Sequence, residues 1–239
     1  MDATPHEFNV FYKAFVHSTR DNGQPWYEAQ LSDTTYAVVR WWFNDQEMQP
    51  FQTESEGQHA ERNVIDRLNV EIAEQIQQIG PVQPGESKPR VRVTIYISFS
   101  PCSSCGDELK IFKQHNGVDV ELEVIFASLY KIRRESCCGV EACNGHINSI
   151  NQEVSNQNKR GLQTMAQEGI ELKTFSRDEW ISLAAVLDVS NDFINRLKED
   201  KRMADDLRAI LPEADPVANL QQGLEGLGIQ ENQPEGAPH

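Results

Sequence analysis

Hydrophobic and polar positions follow two different periods along this chain. The runs TYAVVRWWF (35 to 43), VRVTIYISF (91 to 99) and VELEVIFASLY (120 to 130) are dense in β-branched and aromatic residues and are bounded by turn formers, which predicts three strands. Between the first two, HAERNVIDRLNVEIAEQI sets Val64, Ile65, Leu68, Ile72 and Ile76 at helical spacing until GPVQPGESKP breaks the pattern. That spacing predicts a helix starting close to His59. CGDELKIFKQH gives a second helix, INQEVSNQNKRGLQTMAQEG a third that closes on Gly169, and IELKTFS a short strand behind it. From RDEWISLAAVL through DFINRLKEDKRMADDLRAIL the chain reads as helical, with its apolar residues on one face. Past Pro212, proline, glycine and acid dominate, and too few large apolar residues remain for that stretch to fold alone.

Strand and helix therefore alternate, which implies an α/β sheet with helices packed on its faces. The connection from Tyr130 to Ile170 contains a helix and suits a parallel crossover. With 38% hydrophobic content, 239 residues bury one substantial core, so one domain with an appended tail is expected. No stretch approaches the roughly 20 apolar residues that span a bilayer, and the first fifteen residues lack a basic region followed by an apolar one. The expectation is an intracellular chain with no membrane partner. An odd cysteine count, five, favours thiols and metal ligands over a disulfide framework. The net charge of −15, shared between core and tail, argues against holding nucleic acid by bulk attraction. Any such contact needs a local basic patch.

The most informative stretch is SFSPCSSCGDELKIF, residues 98 to 112, where Cys102 and Cys105 follow Pro101 at the end of an apolar run. Alone, the pair reads equally as a redox couple, half a structural zinc site or the metal corner of an enzyme. HAE at the start of the first helix adds an imidazole, His59, and a carboxylate, Glu61. One imidazole and two thiolates, each at a helix N-terminus, give zinc three ligands and leave a fourth tetrahedral position for water, the mark of a catalytic site. Backbone amides aimed at the sulfurs favour the thiolate form that the metal requires. Together the two halves match the H-x-E … P-C-x-x-C signature of zinc deaminases.

Over about residues 8 to 188 the chain resembles the zinc-dependent cytidine deaminase superfamily, and more narrowly the AID/APOBEC polynucleotide deaminases. The resemblance rests on HAE, on PCSSC with its SFS lead-in, on FASLYKIRR and on NKRGLQTMAQEGIELKTFSRDEW. Two departures are Phe99, where that family usually has Trp, and a long segment between Glu61 and Pro101. The resemblance implies a three-layer α/β/α fold with a central mixed sheet of about five strands and a helical C-terminal extension. It divides the chain into a catalytic domain at 1–188, the extension at 189–211 and an acidic tail at 212–239. It also implies hydrolytic conversion of cytosine to uracil in single-stranded DNA by a mutator or antiviral editor. Zinc on His59, Cys102 and Cys105 would lower the pKa of a water, and Glu61 would move that water's proton to the ring and the departing ammonia. The Ala60 amide and the backbone around Ser100 would hold the base edge, while Phe99 and Tyr130 would wall the pocket.

Lys131, Arg133 and Arg134 form a basic knot beyond Tyr130, suited to threading one strand past a pocket for a flipped base. Arg20 is a second phosphate candidate. In ESCCGVEACNGHINS, Cys137, Cys138, Cys143 and His146 offer four ligands for a second, structural zinc, with a free-thiol loop as the plainer alternative. Leu220, Leu224, Leu227 and Ile229 follow the spacing of a leucine-rich nuclear export signal, similar to the end of activation-induced deaminases. That pattern implies an export receptor as partner and a cytoplasmic protein with nuclear access. Deamination of RNA, tRNA or a free nucleoside, and non-catalytic nucleic-acid binding, are the competing functions; the intact Glu61 weighs against the last.

Overall fold

A computed structural model describes Phe15 and residues 34–55, 57–80, 85–114, 117–134, 150–189 and 201–211. Among these residues six strands form a single mixed sheet flanked by five helices. In chain order the elements are β1 (Tyr36–Phe43), β2 (Gln46–Glu47), β3 (Phe51–Glu54), α1 (Ala60–Ile79), β4 (Arg90–Phe99), α2 (Ser103–Lys113), β5 (Asp119–Ser128), α3 (Gln152–Gln167), β6 (Glu171–Thr174), α4 (Arg177–Val186) and α5 (Lys201–Ile210).

The sheet order is β2-β1-β4-β5-β6, with β3 also on β1. β1 runs antiparallel to β2, β3 and β4, whereas β4, β5 and β6 are mutually parallel. The two parallel steps are made by α2 and α3, as a crossover of helical length requires. β2 and β3 raise the strand number from the expected five to six. They escape a search for alternation because two and four residues are too few to show a period. The hairpin that joins β1 to β2 turns on Asn44 and Asp45, both with positive φ, the backbone of a two-residue type I′ loop. Pro50, which has no N–H to give, falls in the gap between the two short strands.

Alternation along the strands divides the core into two layers. Ala37, Val39 and Trp41 of β1, Val91, Val93, Ile95 and Ile97 of β4, and Val120, Leu122, Val124 and Phe126 of β5 all face one side. They pack there against Val64, Leu68 and Ile72 of α1, Leu109 and Phe112 of α2, and Leu162 and Met165 of α3. Met203, Leu207 and Ile210 of α5 join the same cluster, so the last described helix is built into the main core. On the other face Val38, Tyr96, Ile125 and Ala127 meet Trp180, Leu183 and Ala184 of α4, with Phe175 stacked on Trp180 at 4.0 Å. Helix, sheet and helix make three layers, the expected architecture. Among the described residues, the stretch that reads as one helical region from Arg177 holds α4 and α5, and residues 190–200 lie outside the described part.

Candidate active site

Two helices begin at the same place. His59 is the N-cap of α1 and Cys102 the N-cap of α2, both with extended backbone, and neither side chain caps its own helix. Their carbonyls start the helices instead, accepting from the Asn63 and Gly106 amides. Ring and sulfur are thereby left to turn toward each other. His59 Nδ1 lies 3.1 Å from Cys105 Sγ and 3.5 Å from Cys102 Sγ, and one ligand atom from each of the three residues falls within 4.8 Å of the others. One nitrogen and two sulfurs at that spacing can converge on one tetrahedral ion at bond lengths near 2.0–2.3 Å. One of the two sulfurs, that of Cys102, is also poised for it. The hydrogen bond from Cys105 is the largest cause that lowers the Cys102 thiol to about 4, helped by Ser104, whose hydroxyl oxygen is 3.2 Å from the sulfur. The same bond, with burial, raises Cys105.

Glu61 sits one residue into α1 and is only 4% exposed. Burial pushes its carboxyl up to about 7, with the Cys102 thiolate acting in the same direction, while a backbone hydrogen bond and His59 pull it down. A carboxyl held there can take up and return a proton near neutrality.

Glu61 and His59 open into a cavity of about 370 Å³ that Phe99, Ser100, Cys102 and Tyr130 also line. That is within the range of small-ligand pockets. Phe99 and Tyr130 meet edge to face at 6.3 Å. Ser100 takes its place from β5: its amide donates to the Ser128 carbonyl at 2.7 Å, and its hydroxyl accepts from the Tyr130 amide at 2.9 Å. Ala60 is fully buried beneath the turn that carries His59 and Glu61. Lys131, exposed and with φ of 47°, lines the mouth and sets its ammonium 4.9 Å from the Tyr130 ring centre.

The basic knot does not act as one patch. Arg134 is a correction to the sequence expectation: its side chain is 4% exposed, and its Nε donates to Asp206 Oδ2 of α5 at 2.6 Å. A buried guanidinium is stable only when paired, and Asp206, itself 5% exposed, supplies the charge. Arg133 donates from its guanidinium to the Ile150 carbonyl at 2.9 and 2.6 Å, and from its amide to Ser155 Oγ at 3.0 Å. Of the three, only Lys131 lines the cavity. Arg20, the ligand set Cys137, Cys138, Cys143 and His146, and the tail residues Leu220, Leu224, Leu227 and Ile229 lie outside the described residues.

Four cavity residues carry no sequence signal: Thr35, Ser55, Gly57 and Gln58. The Thr35 amide donates to Ser55 Oγ at 2.9 Å, and the Ser55 amide to the Thr35 carbonyl at 2.9 Å, so the closing end of the β1–β3 pair forms one wall. Only the pairing of β3 with β1 brings them there. The nearest signal, a turn-forming Asn44-Asp45 followed by Pro50, marks a hairpin without showing where its ends lie.

An α/β/α layering whose helix N-termini present an imidazole and two thiols around a buried carboxyl defines a zinc-dependent deaminase site. Residues 36–144 match the family model described as APOBEC3, cytosine deaminase domain, while no curated protein matches the chain. The matched domain and the site beneath it make the protein a zinc-dependent cytidine deaminase, with His59, Cys102 and Cys105 as the residues that fit the metal.

Proposed function

We propose that the enzyme converts cytosine to uracil in single-stranded DNA, taking one unstacked base at a time into the cavity beside Glu61. The observation that carries the proposal is the cavity itself, in which the buried carboxyl, two of the three zinc-ligand residues (His59 and Cys102) and an aromatic wall lie beside an exposed lysine. His59, Cys102 and Cys105 would hold a zinc ion, which would supply the positive charge that lets a water act as nucleophile at neutral pH. Glu61 takes the proton from that water and delivers it to the ring nitrogen. It then moves a second proton to the leaving nitrogen, so that one C–O bond forms, the exocyclic C–N bond breaks and ammonia departs. Phe99 and Tyr130 stack against the base, a contact worth about 1–3 kcal/mol. Lys131, whose ammonium lies 4.9 Å from the Tyr130 ring centre, faces a phosphate next to the target. The acidic chain supports a local contact of this kind over a general attraction for polyanions.

Incubating the purified protein with single-stranded DNA and RNA oligonucleotides, and with free cytidine, then sequencing or chromatographing the products, tests the proposal. Uracil appearing in the DNA is the expected outcome; conversion of RNA or cytidine alone would reassign the substrate.

A further inference from the structure

We infer that Asn158 is a positioning residue for deamination, its single amide fixing the Tyr130 turn relative to the first turn of the zinc-bearing helix. The inference rests on Tyr130 forming a wall of the substrate pocket. Asn158 lies on α3 and is 3% exposed. Its Oδ1 accepts from the Ser103 amide at 3.1 Å, between the two cysteines in sequence, and its Nδ2 donates to the Tyr130 carbonyl at 3.0 Å. An N–H on one side and a carbonyl on the other admit one orientation of the amide. Tyr130 is consequently held at both ends of its backbone, since its own amide donates to Ser100 Oγ. Directly after it comes Lys131 in the left-handed region, a conformation a non-glycine residue keeps only where neighbours impose it.

The rest of α3 is shaped to bring this amide within reach. One turn on, a Cβ on Gly161 would stand 2.7 Å from Ser103 Cα, so α3 approaches the cysteine turn more closely than a side chain allows. Leu162 and Met165 continue the face into the apolar core. An apolar residue at 158 would fill the space, whereas an amide is favoured there only because both its groups are paired. What the amide adds is direction: it sets the separation of pocket wall and metal turn, which catalysis needs held to about 0.5 Å.

The full-length enzyme with Asn158→Asp and with Asn158→Leu tests this, assayed on a cytosine-containing single-stranded DNA oligonucleotide and on free cytidine. Asp keeps an acceptor for Ser103 and removes the donor to Tyr130. It should raise KM about tenfold, the value of one buried hydrogen bond, with kcat little changed and the absorption bands of the cobalt-substituted enzyme unaltered. Leu removes both bonds and should lower kcat as well and shift those bands. A wild-type KM in Asn158→Asp, on whichever substrate the wild type converts, overturns the inference, as do unshifted cobalt bands in Asn158→Leu. Activity of the wild type on cytidine alone would refute the single-strand proposal while the KM comparison proceeds on cytidine. Hydrogen exchange on the wild type gives a check free of folding effects: the Ser103 amide should be protected, and exchange at the rate of an open loop amide would also overturn the inference.

Discussion

The chemistry of this protein depends on a few side chains whose local backbone frees them from other duties. His59 and Cys102 occupy cap positions that serine or aspartate would fill by bonding to the helix amides, and here the side chains point to each other instead. Glu61, outside the ligand trio, is the group proposed to move protons. Glu61→Gln should therefore retain zinc by metal analysis while turnover falls by roughly 10²- to 10⁴-fold; an unchanged rate would remove Glu61 from the mechanism. Cys102→Ser should lose both metal and turnover. These residues are legible in sequence because ligand chemistry is a property of residue type and short spacing. Arg134 is not, since the direction of a side chain beyond a strand end depends on a partner 72 positions away.

Between elements, two contacts carry the site. Gly161 brings α3 against the cysteine turn, and Gly161→Ala would set a methyl 2.7 Å from the Ser103 backbone. In an open helix that exchange stabilises by about 1 kcal/mol. Here overpacking should reverse the sign, to a loss of about 1–3 kcal/mol in denaturant unfolding together with weaker zinc retention. A stabilised variant with full zinc would show that the two helices separate freely. The second contact is the Arg134–Asp206 pair, which joins the segment after Tyr130 to α5. Asp206→Ala takes the carboxylate from a buried guanidinium and should cost about 3–5 kcal/mol in the same assay. A loss under 1 kcal/mol would mean that water or another group replaces Asp206 without strain.

At the scale of the molecule, a protein of net charge −15 is proposed to handle a polyanion, so the position of its cations matters more than their number. Lys131→Ala should weaken binding to single-stranded DNA and flatten the dependence of log affinity on log salt by about 0.7, one phosphate contact on a single strand. Zinc content should be unaffected. An unchanged slope, measured by fluorescence anisotropy across a salt series, would show Lys131 to be a solvated charge at the cavity mouth. No described helix is long and apolar enough to cross a membrane.

By itself the sequence determined the order of the main strands and helices and the identity of the metal ligands. Apolar periodicity and ligand spacing act over short distances along the chain and need no knowledge of partners. Tertiary structure decided which side chains meet. β2 and β3 are too short to carry a period and exist by pairing with the edge of β1, and that pairing places Thr35 and Ser55 in the cavity wall. Asn158 reads in sequence as one more polar residue of an amphipathic helix, and becomes a link between Ser103 and Tyr130 only once α3 lies against both. Burial and hydrogen-bond satisfaction are set by neighbours distant along the chain, which is why Arg134 turns inward to Asp206 while Lys131, three residues earlier, stays at the mouth.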